Sequence, residues 1–200
     1  MKILLFGATG MVGQRIATEL RNRGNDVTAL SRSGPDKGDV ADTATLARGY
    51  DVVISAIAPP RDGTEPEAPF LAANRALIDG ARKAGVRRLI VVGGAGSLQV
   101  APGLDLVDTP GFPEMYKKES LAQREALKLY REVDDLDWTY VSPAAEIDPG
   151  ERTGVYRIGG DQLLTDAEGR SRISAEDFAV AIADEVENGA HPRKRITVAY

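Results

Sequence analysis

Three glycines at three-residue spacing, Gly7, Gly10 and Gly13, follow directly on the apolar run of residues 3–6 and open an amphipathic segment. An uninterrupted apolar run is what a parallel strand covered on both faces requires. Beyond the glycines, Val12, Ile16 and Leu20 recur at four-residue spacing. They form the inner stripe of a helix over residues 10–23, with Arg15, Glu19 and Arg23 on its water side. Gly24 is placed to end that helix in a left-handed conformation. A strand, a tight glycine turn and a helix in this order constrain the fold more than any other feature of the chain.

The unit repeats. Strands are predicted over residues 26–30, 51–58 (stopped by Pro59-Pro60), 88–92 and 138–142, the last ended by Pro143. A helix over 69–84 turns Leu71, Leu77, Ile78 and Ala81 inward and ends at Gly85, and a longer one covers 116–132. Residues 153–164, with three glycines, read as a short β-segment or hairpin. Ser174 caps a further helix reaching about residue 187 on Phe178, Ala179, Ile182 and Val186. Residues 195–200 supply a last edge strand. Strands alternating with helices specify an α/β fold, a Rossmann-type doubly wound parallel sheet. At 200 residues, without internal repeat or dividing linker, the chain is a single domain.

Composition removes several function classes. The formal net charge of −5 argues against nucleic acid, which selects a basic face. Cysteine is absent, which excludes thiol chemistry, disulfides and cysteine-ligated metals. His191, the single histidine, lies beside Pro192 in a polar segment, so neither a histidine metal site nor a Ser–His–Asp triad is expected. The first apolar run is too short for a signal peptide, and no stretch approaches a membrane span. The expectation is a cytoplasmic protein acting on a small molecule, with no metal, no nucleic-acid partner and no membrane partner. The residues carry no signal for a particular oligomer.

The turn Gly7-Ala8-Thr9-Gly10-Met11-Val12-Gly13 lies where a dinucleotide pyrophosphate is held in such folds. The first glycine permits the turn, the second lets backbone approach the phosphates, and the third lets helix pack on strand. The helix N-terminus adds unpaired N–H groups and partial positive charge. The end of the second strand selects the ribose. NAD sites place a carboxylate there, roughly 20 residues beyond the glycines, whereas this chain reads Ser31-Arg32-Ser33. Arg32 offers a planar fork of donors to a 2′-phosphate and Ser31 a hydroxyl, so NADP(H) is expected over NAD(H). The alternative is a solvated surface arginine. Asp39 is placed to accept from the adenine amino group with Val40 against the ring, although a solvated loop acid fits Asp39 nearly as well. Ser55, Ala56 and Ile57, at a strand's C-terminal end, line the ribose side.

These residues, with the segments 92–97, Asp137-Trp138-Thr139, Ser142-Pro143 and 173–177, carry a resemblance. The whole chain resembles the atypical short-chain dehydrogenase/reductases, specifically the group of biliverdin reductase B and the NAD(P)H-flavin reductases. It is also similar to the NmrA-like regulators. The resemblance implies that Gly94 adjoins the cofactor, that Pro143 and Ala144 pass the nicotinamide ring, and that Ser97 donates to a ring's polar atom. A loop serine bonding its own backbone is an equal reading of Ser97. The substrate side is then built from about 97–116 and 143–172, with Phe112, Pro113 and Tyr116 as a stacking wall. Dehydrogenases of the superfamily pair a Tyr with a Lys four residues later, which brings ammonium and phenol onto one helical face. Here Ser120 stands four residues after Tyr116, while Lys117 and Lys118 point elsewhere. A flavin acceptor removes the need for that acid, because holding two planar rings together is most of the catalysis. The expectation is thus an NADPH-dependent reductase of flavin or a similar planar acceptor. The alternatives are an NADP(H) sensor without turnover and, more distantly, a sugar-nucleotide epimerase or dehydratase.

Overall fold

The computed structural model describes residues 1–60 and 64–200. In chain order its elements are β1 (Lys2–Phe6), α1 (Met11–Asn22), β2 (Asp26–Leu30), α2 (Thr43–Leu46), β3 (Val52–Ser55), α3 (Glu67–Ala84), β4 (Arg88–Val92), β5 (Gln99–Ala101) and β6 (Leu104–Asp105). They continue with α4 (Glu114–Arg131), β7 (Asp137–Pro143), β8 (Glu146–Asp148), β9 (Arg157–Gly159), β10 (Arg172–Ser174), α5 (Ala175–Asn188) and β11 (Lys194–Ala199). The main sheet runs β2-β1-β3-β4-β7-β11-β9, parallel throughout except that β9 joins β11 antiparallel. The Rossmann-type α/β reading of the sequence holds, as one domain.

Period-two alternation along the strands divides the core in two. Ile3, Leu5, Ile54, Val141 and Ile196 face α1 and α5, meeting Ile16, Leu20, Phe178 and Ile182. Leu4, Phe6, Val53, Leu89 and Tyr140 face α3 and α4, meeting Leu77, Ala81, Leu127 and Tyr130. Trp138 is buried in this second core and its indole donates to the Val133 carbonyl at 2.9 Å. Gly24 and Gly85 adopt the left-handed conformation expected of helix ends, with φ +80° and +77°.

Three expectations are corrected. β11 is an interior strand, because β9, drawn from the 153–164 segment, covers its outer edge. Glu19 does not face water. It is 6% exposed and accepts from Arg152 Nε and Nη2 and from Arg23 Nε, each at 2.8 Å. The Arg152 hydrogen bonds, against the opposing effect of burial and with help from Arg23, hold its carboxyl at about 2. In α3 the buried residue beside Leu77 and Ile78 is Phe70, while Leu71 is only partly covered. Further ion pairs fasten α1 to α5: Arg15 to Glu176 at 2.5 Å, and Arg23 to Asp184 and Glu187 at 2.7 and 2.9 Å.

At the opposite sheet end from the glycine turn, a buried polar knot closes α5 onto the strands. Glu185 accepts from Arg88 Nη2 at 2.6 Å, from Thr139 Oγ1 at 3.2 Å and from the His191 N–H at 3.0 Å. His191 Nδ1 lies 2.7 Å from its second oxygen. The single histidine is therefore used in structure.

Candidate cofactor and substrate site

The chain leaves β1 for β2 on one side of the sheet and returns to β3 on the other. The crevice that opens between their C-terminal ends is where ligands of open parallel sheets bind. Gly7 occupies it. Its φ is +82°, and a Cβ there would lie 2.4 Å from the Ala56 carbonyl oxygen and 2.9 Å from the Ile57 nitrogen. A Cβ on Gly13 would lie 2.1 Å from the Gly7 carbonyl oxygen. The turn, the end of β3 and the first helical turn thus pack at a distance only glycine allows.

Two hydrogen bonds fix the turn: the Ala8 N–H donates to Leu30 at 3.1 Å and the Gly10 N–H to Gly7 at 3.2 Å. Thr9, Gly10 and Met11 are exposed and Val12 is partly buried. Gly10 is the N-cap of α1, with no side chain capping the helix and no acid in its first turn. The N–H groups and dipole are thereby left for an anion. The residues fit a pyrophosphate: a cradle that any Cβ would fill, at an uncapped helix start, in the switch crevice.

The segment after β2 folds into a small loop beside this turn. Ser31, 6% exposed, accepts at Oγ from the Gly34 N–H at 2.8 Å, and its backbone bonds Asp36 and Gly38. The Thr9 methyl approaches the same Gly34. Arg32 is exposed, without hydrogen-bond or ion-pair partner among the described residues. Ser55 is 1% exposed and its Oγ has no hydrogen-bond partner. Ala56 and Ile57 are partly buried at the crevice wall.

Some expected contacts are taken up by the fold. Asp39 Oδ1 accepts from the Ala41 N–H at 2.9 Å, capping a short 3₁₀ turn, which occupies that oxygen. Val40 is 7% exposed and Ala144 is 1% exposed, each with its side chain inside a core. These two side chains do not line an open surface against adenine or nicotinamide; only their backbones can do so. Pro143 is likewise buried at the end of β7, where it pairs with Val198.

Beyond β4, Gly93 makes room for Tyr140 of β7, and Gly94 and Gly96 let α4 close on the strand end. A Cβ on Gly93 would meet the Tyr140 ring, one on Gly94 would meet Gln123 Oε1 at 1.9 Å, and one on Gly96 would meet Ser120 Cβ at 2.5 Å. Ser120 is therefore a packing residue, and its small side chain is what the Gly96 contact requires. Tyr116 lies one turn before Ser120 on the same helical face, 42% exposed. Lys118 pairs with Glu65 and Lys117 with Glu114, both away from a position four after Tyr116.

Sequence reasoning missed Arg195. It is buried, yet its Nη2 donates to the Ser97 carbonyl at 3.2 Å, and its Nη1 reaches Ser97 Oγ at 3.4 Å and Ser142 Oγ at 3.5 Å. Ser97, 7% exposed, is thus held by a cation from β11. The local pattern hid it: Ile196 and Val198 mark one covered face, and Arg195 alternates onto the other, which reads as water-facing on a strand taken for an edge. Among the described residues there is no cluster of three metal-ligating groups, and no helix is long and apolar enough to cross a membrane.

Residues 7–188 match the family described as NAD(P)H-binding. Three solved structures superpose over the full length of the chain. A Burkholderia pseudomallei protein, named a candidate exported protein, shares 51% identity at a TM-score of 0.91, with 100% of that chain covered. A candidate epimerase from Bacteroides thetaiotaomicron shares 40% at 0.91, with 96% covered. A candidate NADH-flavin reductase from Streptococcus pneumoniae shares 34% at 0.85, with 99% covered. The chain belongs to the NAD(P)H-binding family.

Proposed function

We propose that the protein is an NADPH-dependent reductase that delivers hydride to a flavin or a similar planar aromatic acceptor. The observation that carries this reading is the glycine crevice at an uncapped helix start, set beside a site without a Tyr–Lys acid pair. Bound NADPH would supply the hydride. The chain's own residues bind and orient: Gly7, Gly10 and Gly13 admit the pyrophosphate, and Arg32 with Ser31 receives the 2′-phosphate. Ser97, which Arg195 holds in place, would supply a hydroxyl to the ring. The substrate side is formed by residues 97–116 and 143–172, and the partner is a small molecule rather than nucleic acid or membrane. Such a reaction belongs in the cytoplasm, where the reduced cofactor is maintained. The flavin-reductase name of the Streptococcus pneumoniae relative supports the acceptor class, and the epimerase name of the Bacteroides thetaiotaomicron relative points elsewhere. Ser120 as a packing residue weighs against the epimerase.

The decisive assay follows NADPH oxidation with FMN, FAD, riboflavin and biliverdin as acceptors, with NADH in parallel. Acceptor-dependent turnover that favours NADPH is expected. Tight NADPH binding with no turnover on any acceptor would turn the assignment to a sensor. Arg32→Ala is expected to weaken NADPH about 10- to 100-fold, the scale of a lost charge-assisted bidentate contact, and to leave NADH unchanged. Equal weakening of both cofactors would remove Arg32 from the 2′-phosphate. Tyr116→Phe is expected to leave flavin reduction within about twofold, since no proton transfer through the phenol is needed; loss of turnover would restore a tyrosine-dependent mechanism.

A further inference from the structure

A cavity of about 360 Å³ lies between α4 and the first residues of β7 and β11, lined by Arg131, Trp138, Gly160, Asp161, Arg193, Lys194 and Arg195. Those strand starts are at the opposite end of the sheet from the glycine turn, about 20 Å away for strands of this length. The cavity therefore opens away from the glycine turn, and Arg195 in its wall is the residue it shares with the Ser97 side of the site.

Four of its seven lining residues are cationic and one is a carboxylate, in a protein whose net charge is −5. Such a local reversal of sign focuses a positive potential into the concavity. Asp161 is shared: Arg131 Nη2 and Arg195 Nε both donate to its Oδ1 at 2.7 Å. Among the described residues the Arg193 side chain donates only to the Asp134 carbonyl, at 3.0 Å, and the exposed Lys194 ammonium has no partner. Arg193 is also the single non-glycine residue at positive φ (+56°) among the described residues, held there by its N–H bond to the Trp138 carbonyl at 2.6 Å. An arginine in the left-handed region costs conformational energy that a glycine would avoid.

We propose that this cavity is a second ligand site, which takes an oligophosphate anion. Guanidinium forks and an ammonium arranged around one concavity suit several tetrahedral oxyanion groups better than a single carboxylate. The volume lies at the small end of the range for ligand sites, about 300–1,000 Å³, which leaves room for more than one phosphoryl group. Trp138, the one tryptophan of the chain, borders the cavity from the core behind it, so its emission serves as a second readout.

The test titrates inorganic tripolyphosphate into the full-length protein saturated with NADP+, so that the glycine turn is blocked, and follows calorimetric heat and Trp138 emission. Saturable binding that weakens as salt rises is expected. Arg193→Gly, which removes a cation and relieves its backbone, and Lys194→Glu are each expected to weaken it at least tenfold (about 1.4 kcal/mol). Thermal melts of both variants confirm that they fold. The proposal is overturned by an absence of saturable binding, by binding that both variants leave unchanged, or by binding that occurs only without NADP+. If NADP+ itself does not bind, the cofactor reading falls. The same titration without it then tests the cavity alone.

Discussion

Replacing Gly7 by alanine is expected to abolish measurable dinucleotide binding and to lower folding stability by about 2–5 kcal/mol, the sum of a left-handed backbone penalty and overpacking. Both causes are visible at one residue. The φ of +82° is costly for any side chain, and the added methyl would lie 2.4 Å from a carbonyl oxygen at the end of β3. That neighbour is backbone in the middle of the sheet and cannot swing aside. The turn must therefore move away from β3, and the crevice that receives the pyrophosphate moves with it. Gly24→Ala is the control, with φ +80° but nothing within 4 Å of the new Cβ. It should cost only the left-handed term, about 1–2 kcal/mol, and leave cofactor affinity intact. Urea unfolding and calorimetric NADPH titration of the two variants side by side separate strain from site geometry. Normal NADPH affinity in Gly7→Ala would show that the turn does not hold the cofactor.

Glu185→Ala is expected to be the most damaging substitution remote from the site, at about 3–5 kcal/mol, the scale for breaking one partner out of a buried ion pair. Arg88 would keep its largely buried charge on neutral acceptors alone, the Asp137 and Glu185 carbonyls and Thr139 Oγ1, while Thr139 and the His191 N–H would lose the same carboxylate. Arg88→Met combined with Glu185→Leu should recover much of the loss, because no lone charge is then left inside. Burial pushes the Glu185 carboxyl up, but His191 and Arg88 together more than offset it and hold it below the ordinary carboxylate range. Its stabilising contribution is therefore complete above the ordinary glutamate pKa and is lost as pH falls through the lowered one. Urea midpoints measured from neutral to acid pH should show a smaller acid-side decline for Glu185→Ala than for the parent. A parallel decline would exclude the carboxylate as its source.

Much of the architecture was legible because its signals are local. Continuous apolar runs announced β1, β3 and β4, and four-residue spacing announced α1. Glycines one or two residues past the helices, Gly85 and Gly24, announced their ends. The errors arose where distant segments meet. Nothing near Glu19 in sequence reveals that Arg152 will reach it, so a charged residue on a predicted water face became buried. β11 reads as an edge because β9, three residues long, ending in Gly159 and followed by Gly160, has no periodicity of its own. The pair β8 and β10 joins Glu146–Asp148 to Arg172–Ser174 and is likewise set by tertiary packing. At the site, the glycine turn could be read from spacing alone. The commitment of Val40 and Ala144 to the cores could not, since an apolar residue beside a ligand and one inside a core look the same in sequence. Asp39 did carry a signal, an acid just before a short helical turn, the pattern of an N-cap.

The seam between α1 and α5 has a consequence for synthesis. The apolar face formed by Ile16, Leu20, Ile3 and Leu5 is covered by Phe178, Ile182 and Val186. When a ribosome has made the first βαβ unit, the partner that hides this face has not yet been translated. The nascent chain must carry an uncovered apolar stripe until α5 has been translated. Pairing of such widely separated segments is entropically late and leaves exposed surface for aggregation. A message truncated before α5 should yield a product captured by chaperones and degraded, even though every glycine of the cofactor turn is present. The βαβ unit that carries the glycine turn is therefore buried on this face only when α5 arrives.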